Sequence, residues 1–326
     1  MSEQLILNKQ QPLVSIIIPT FERLHYLPYA IESALAQTYQ NTEVIVSDDG
    51  STSDVRSLVA AFTDKRIRYR RNDVNIGQVL NNLSAFKEAK GKYVANLHDD
   101  DMWEPTFLEK LIPPMESDED IVLAFSNHFI MNSAGEIDEQ TTEQNEAFYK
   151  RDILTPGLHR PFCRIGLVDL SIPLAMASVY RKDVIDWDDF PTEVNSFYDR
   201  WLIYLACRTG MGAYFHTDRL TRYRVHAASA TGKSGVDIPR SSLACHNRFL
   251  QDERLKPHWP ALKKLRDLGY TRMGICQLEE GSVKEARRNL ILSIKNKPNI
   301  RATAALCLSV LPVSTLKAIV SRYRDR

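Results

Sequence analysis

The apolar positions at the start of the chain change period repeatedly, and each change marks an element. Val14 to Ile18 is an apolar, β-branched run ending at Pro19, the pattern of a strand buried on both faces of a parallel sheet. Leu24, Leu27, Ile31 and Leu35 then recur at helical spacing with Pro28 near the helix start, and Glu43 to Ser47 predicts a second strand closing on Asp48, Asp49 and Gly50. The alternation continues with a helix near Asp54 to Phe62, a strand Arg66 to Arg70, a helix near Val79 to Lys90, a strand Tyr93 to Leu97 and a helix near Pro105 to Met115. Strand, helix, strand at this spacing is a βαβ unit, and its repetition predicts an α/β fold with a mainly parallel sheet flanked by helices.

The pattern weakens after the strand-like Ile121 to Phe125. Asn132 to about Leu170 is polar and without clear period, as expected of an irregular insertion over a site. Leu174 to Tyr180 predicts a strand, Asp199 to Arg208 a helix with Leu202, Leu205 and Ala206 inward, and Leu220 to Val225 a closing strand. From about Arg240 only helical spacing remains, as at Leu262, Leu265, Leu268 and Leu290, Ile294, so a boundary is expected near 240. Within 240–326, Tyr270, Met273, Gly274, Gly281, Ala286, Leu290 and Pro298 match one tetratricopeptide-like helical hairpin, expected to pack as a cap because a lone repeat cannot bury its own face. Ala302 to Val320, with Lys317, Arg322, Arg324 and Arg326, reads as a helix lying either on a membrane or on the protein itself.

Charge sharpens that division. The net charge of +1 conceals 24 Lys and Arg against 34 Asp and Glu in residues 1–239, and 18 against 7 in residues 240–326. The basic tail is suited to an anionic surface, either phospholipid headgroups or the acidic front of its own chain. With 44% hydrophobic and 25% charged residues the composition is that of a globular protein and excludes disorder. Five widely spaced cysteines without a CxxC pair imply neither a disulfide framework nor a zinc knot. No signal peptide or apolar run of roughly 18 residues is evident, so a cytoplasmic protein without a spanning helix is expected. Few aromatics interleave the basic tail and the front is acidic, so no nucleic-acid partner is expected.

The chemistry concentrates where strands should end. Asp48 and Asp49 follow the second strand, and Asp99, Asp100 and Asp101 follow the strand Tyr93 to Leu97. Sites in open parallel sheets lie at the carboxyl ends of strands, so these clusters should converge on one crevice. Adjacent carboxylates repel, and oxygen ligation would select a hard divalent ion, Mn²⁺ or Mg²⁺, with open positions for phosphate oxygens. The plain alternative is a solvated acidic loop or helix cap.

At these residues the sequence resembles the family 2 glycosyltransferases, nucleotide-sugar-dependent enzymes of the GT-A fold. The resemblance rests on Val14-Ser-Ile-Ile-Ile-Pro-Thr20, Val46-Ser-Asp-Asp-Gly-Ser-Thr52, Asn75-Ile-Gly77, Gly91-Lys-Tyr93 and His98-Asp-Asp-Asp101, covering about residues 12 to 115. Tyr198-Asp-Arg-Trp201 and Tyr223-Arg-Val-His226 are similar to the family's acceptor-side acidic motif and its last strand. The resemblance implies a GT-A domain over 1–239, with a donor half at about 12–115 and an acceptor half at about 120–230, followed by the helical extension 240–326.

By the same resemblance, Pro19, Thr20 and Phe21 meet the nucleotide base, with Phe21 stacking on uracil, and Asp49 accepts from the uracil N3 proton. Asp99 contacts the ribose, while Asp100, Asp101 and His226 hold the metal and Arg224 neutralises the diphosphate. Asp199 is the general base that takes the proton of the acceptor hydroxyl in an inverting transfer. Each has a structural alternative: a core aromatic for Phe21, a helix cap for Asp199, a buried core histidine for His226. The chain departs from the family pattern at Asn82, where an arginine is common, and at Tyr198-Asp199, where the motif is usually Glu-Asp. The implied activity is metal-dependent transfer of one sugar, from a UDP-sugar for preference, to a glycan or lipid-linked acceptor at the cytoplasmic membrane face. Its rivals are a catalytically silent GT-A binding module and a nucleotidyltransferase, and no glycine-rich basic loop follows the first strand to support the second.

Overall fold

The structure is a computed structural model that describes residues 11–173, 175–226, 235–295, 298–311 and 315. Its chain divides into two compact units, residues 1–190 with 202–226 and residues 191–201 with 227–326.

The first unit is built on β1 (Val14–Thr20), whose residues are nearly all buried, as the β-branched run requires of a strand covered on both faces. Around it stand β2 (Thr42–Asp48), β3 (Ile67–Arg71) and β4 (Tyr93–Asn96), all paired in parallel in the order β3-β2-β1-β4. The connecting helices are α1 (Leu27–Leu35), α2 (Val55–Ala60) and α3 (Gln78–Glu88). On α1 the buried Leu27, Ala30, Ile31 and Ala34 form one stripe, which packs on Val14, Ile16 and Ile18 of β1. Pro28 sits in the first turn of α1, where its missing N–H costs nothing, and the Asp54 carboxylate caps α2 through the Ser57 N–H.

The sheet continues through β5 (Met102–Trp103), α4 (Phe107–Ser117), β6 (Ile121–Met131), β8 (Ser178–Arg181) and β9 (Gly212–Arg224), giving the order β3-β2-β1-β4-β8-β6-β9-β5. β8 enters antiparallel to β4 and β6, whereas β6 and β9 run parallel.

Several elements here differ from the sequence expectation. Residues 132–170 are not irregular: they hold α5 (Glu139–Phe148), β7 (Gly157–His159), which pairs with β9, and a π-type turn at Arg164–Val168. Only Thr142 of α5 is buried, so its sequence carries no apolar stripe to read. β6 and β9 are longer than their apolar stretches because the register shifts at Ser126/Asn127 and Asn127/His128, where polar residues break the period. Leu174 lies outside the described residues, and a 3₁₀ turn at Ala175–Ala177 precedes β8.

The second unit is helical, with α7 (Asp237–Phe249), α8 (Trp259–Glu280), α9 (Val283–Ile294) and α10 (Ile300–Leu308). It also includes the first turn of α6 (Tyr198–Arg208), where Trp201 stacks on Phe249 at 6.0 Å. Gly274 of α8 faces Leu290 and Ala286 of α9, and Leu278, Ala286, Leu290, Ala302 and Ala305 form a small core. α10 is shorter than the expected helix 302–320, and Lys317, Arg322, Arg324 and Arg326 lie outside the described residues.

One buried group ties the first unit to pH. His128 on β6 is 6% exposed and its Nδ1 has no hydrogen-bond partner. Burial, reinforced by the charges of Arg151 and Arg219, pushes its pKa down to about 3. Below its ordinary value of 6.5 the unfolded chain takes up a proton that the folded chain refuses, so this group makes stability fall as pH drops from 6.5 toward 3. Replacing His128 by Asn is expected to flatten the pH dependence of the urea midpoint between roughly pH 6 and 4, by up to about 1.4 kcal/mol per pH unit. Identical slopes for the two proteins would contradict this reading.

Candidate active site

Parallel pairing brings the strand ends together. Thr20 stands opposite Asp48 across β1 and β2, and Ile17 opposite Asn96 across β1 and β4, so the loops after all three strands open at one edge of the sheet. The Leu97 N–H still donates to the Ile17 carbonyl at 2.8 Å, and the chain then leaves the sheet at His98. Asp99, Asp100 and Asp101 follow, each buried at 8% exposure or less.

The two aspartates after β2 divide the work of shaping the rim. Asp48 accepts from the Ser51 N–H at 2.9 Å and from the Tyr69 hydroxyl at 2.6 Å, closing the turn in which Gly50 takes φ 75°. A Cβ at Gly50 would meet the backbone of Val74 and Asn75 at 2.7–2.8 Å, so no other residue fits there. Asp49 accepts from Asn72 Nδ2 and from the N–H groups of Ile76 and Gly77, all within 3.0 Å. This explains the Asn75-Ile76-Gly77 motif as a backbone clamp. With about four lone-pair positions on a carboxylate, one on Asp49 Oδ2 stays open.

The loop after β1 is anchored by Glu22, which the sequence did not single out. Glu22 adopts φ 55° and accepts from the Thr52 N–H and hydroxyl and from the Ser53 N–H. Those bonds, the Thr52 N–H foremost, pull its carboxyl down to about 2. Pro19 is partly buried, Thr20 is buried, and the Phe21 ring is 44% exposed at the strand end. The next residue, Arg23, reaches across to the acidic loop: its Nη1 lies 3.3 Å from Asp99 Oδ1 and also pairs with Asp100 Oδ2.

The three carboxyls respond differently. Burial pushes Asp99 up to about 7 despite the Arg23 charge beside it, and pushes Asp101 up to about 6. Burial acts on Asp100 in the same sense but is outweighed by Arg23, His98 and His226, so Asp100 is held below its ordinary value. His226 Nε2 lies 3.0 Å from Asp100 Oδ2, and His98 Nδ1 lies 3.1 Å from Asp101 Oδ2. His98, Asp100 and Asp101 each offer one ligand atom within 4.8 Å of the others, so the donor set fits a divalent cation. The sequence expectation was Asp100, Asp101 and His226. The structure gathers His98 with the two carboxylates and sets His226 on Asp100.

Arg224 departs from its expected place on a diphosphate. It is 3% exposed, its Nε donates to the Asp100 carbonyl at 2.8 Å, and its Nη1 donates to the carbonyls of Asn132 and Ser133. Its backbone N–H donates to Asp101 Oδ1 at 2.8 Å, and its guanidinium lies 4.7 Å from the Tyr26 ring centre. Arg224 thus holds the acidic loop from beneath, and Arg23 is the arginine on the carboxylates. Asn82, at the position of the missing arginine, is buried and accepts from Asn96 Nδ2. Asp199 belongs to the second unit, buried in the first turn of α6.

Residues 15–166 match the family model described as Glycosyl transferase family 2. The chain is 30% identical over 230 residues to UDP-Glc:alpha-D-GlcNAc-diphosphoundecaprenol beta-1,3-glucosyltransferase WfaP of Escherichia coli, covering 71% of this chain and 84% of that protein. In fold it is similar to S. aureus TarS 1-349 in complex with UDP-GlcNAc, with TM-score 0.64 at 15% identity over 96% of this chain and 91% of that one. It is also similar to the mannosyltransferase PcManGT from Pyrobaculum calidifontis in complex with GDP-Man and Mn2+, with TM-score 0.60 at 14% identity over 96% and 85%.

Because the Arg224 fork satisfies three carbonyls at once, Arg224→Lys keeps the charge but leaves buried acceptors unpaired. A loss of about 1–3 kcal/mol in urea unfolding is expected. An unchanged midpoint would show that water replaces those bonds without cost.

Proposed function

Because the chain belongs to glycosyl transferase family 2 and has the GT-A fold, we propose that it transfers one sugar, with inversion, from a UDP-sugar to a hydroxyl of a lipid-diphosphate-linked saccharide in cell-surface polysaccharide synthesis. The observation that carries this reading is the convergence of Asp99, Asp100 and Asp101 with His98 beside the end of β1. Burial there concentrates more negative charge than Arg23 neutralises, which suits a site built to take up a cation together with a diphosphate.

In this reading Phe21 offers its exposed ring to the base, and the open lone pair of Asp49 Oδ2 accepts the N3 proton of uracil, which a purine would not present in the same way. Pro19 and Thr20 form the floor beneath the base, and Asp99 faces the ribose. His98, Asp100 and Asp101, with His226 orienting Asp100, hold Mn²⁺ or Mg²⁺; bound there, such an ion draws charge from the departing nucleoside diphosphate. Asp199 is the base: as the acceptor oxygen bonds to the anomeric carbon and the bond to the diphosphate breaks, its carboxylate takes the hydroxyl proton. The UDP-glucose donor and the diphosphoundecaprenol-linked GlcNAc acceptor named for WfaP support this choice of substrates, and the UDP-GlcNAc and Mn2+ complexes of the structural neighbours support the donor and metal classes.

Among the described residues no helix is long and apolar enough to cross a membrane. We assign the basic region 240–326, including Lys284, Arg287 and Arg288 of α9, to attachment at the anionic cytoplasmic face where such acceptors lie. Binding to phosphatidylglycerol vesicles but not to neutral ones is expected, weakening with salt; equal binding to both would remove this assignment.

Transfer is tested with UDP-glucose and UDP-GlcNAc against GlcNAc-diphosphoundecaprenol, with product read by mass spectrometry. Asp199→Asn is expected to lower kcat by roughly 10²- to 10⁴-fold while UDP binding is kept. Full turnover by Asp199→Asn would remove it as the base, and release of pyrophosphate instead of UDP would overturn the reaction class.

A further inference from the structure

Arg23 is a residue for which the donor-site reading has no role, yet it occupies the centre of the acidic cluster. Its Nη1 pairs with both Asp99 and Asp100, whose side chains are only 8% and 10% exposed. Asp100 Oδ2 is thereby shared between Arg23 Nη1 and His226 Nε2, while Asp100 is one of the three groups positioned to hold a metal ion. A guanidinium and a divalent ion cannot both take the same carboxylate oxygen at bonding distance. Occupation by one therefore competes with occupation by the other.

The anchoring of Arg23 is asymmetric. The preceding residue is fixed, because the Glu22 carboxylate is bonded to Thr52 and Ser53 and its N–H donates to Ser51 Oγ at 3.0 Å. The Arg23 side chain is 26% exposed at the rim, on a long flexible stem. It can leave the carboxylates without the loop moving. The rim it would swing along is the one a diphosphate must occupy, and a guanidinium binds phosphate oxygens by paired hydrogen bonds.

We propose that Arg23 is a resident counter-ion: it holds the acidic loop together in the absence of metal, yields Asp100 to the divalent cation, and then pairs with the diphosphate of the donor. The inference rests on the donor-site reading above and adds to it a positioning residue and an order of binding. Metal alone must displace Arg23 without giving it a new partner, so it binds weakly. Metal with nucleotide supplies that partner, so the two bind with positive coupling.

The test uses the full chain and two variants. Arg23→Gln removes the competing charge, and Arg23→Lys keeps it with a poorer fork. Mn²⁺ binding without nucleotide is followed by electron paramagnetic resonance of the free ion, and UDP binding at saturating Mn²⁺ by calorimetry. Arg23→Gln is expected to bind Mn²⁺ alone about 5- to 100-fold more tightly than the wild type and to bind UDP about tenfold or more weakly, with Arg23→Lys near the wild type in metal affinity. A simple structural role would weaken both affinities together. Equal or weaker Mn²⁺ binding by Arg23→Gln, with circular dichroism unchanged, overturns the inference alone. Mn²⁺ binding by none of the proteins, with or without UDP, overturns the donor-site reading and the inference with it.

Discussion

Three consecutive carboxyls held out of water at the end of a parallel strand are the constraint around which the first unit is arranged. Like charges so close are costly in a site of low dielectric, and the protein answers with partners on every side. Arg23 comes from the loop after β1, His98 from the acidic segment itself, and His226 and the Arg224 N–H from the end of β9. These partners offset the cost only in part, since Asp99 and Asp101 remain shifted upward. The residual charge is an affinity for cations, built into the fold and not dependent on any one contact.

The surrounding loops are stiff for the same reason. Asp48 and Asp49 use most of their lone pairs on their own chain, Glu22 ties the loop after β1 to the loop after β2, and the Arg224 fork closes the floor. A rim fixed in this way presents Phe21 and the open position of Asp49 without further ordering when a ligand arrives. The flexible part is the Arg23 side chain. Stiff backbone with one mobile cation is a suitable arrangement for a site that must exchange ions and release a charged product.

Much of this was legible in the sequence, because β-branched runs and helical stripes leave strong periods and parallel sheets bring strand ends to one edge. The βαβ succession through Tyr93 and the convergence of the strand-end aspartates follow from those rules. The failures share one cause. Where burial is achieved without an apolar stripe, as in α5, or where a bulge changes the phase, as at Asn127 in β6, the period vanishes although the element is regular. Arg23, Glu22 and His98 were missed because a single charged residue in a loop has no pattern, and its meaning depends on which loop it faces. Arg224 was read as a ligand for phosphate because its position near a motif said nothing about the carbonyls of Asn132 and Ser133 beneath it.

The central claim is that the acidic cluster and the Arg23 rim together form one cation-assisted diphosphate site. Anomalous diffraction at the manganese edge, from crystals grown with UDP and Mn²⁺, tests it most directly. The account predicts a single strong peak bonded to Asp100 and Asp101 with His98 in its shell, and the Arg23 guanidinium turned from Asp100 onto the phosphates. Bound UDP with no peak at these residues, or with Arg23 still on Asp100, would contradict it.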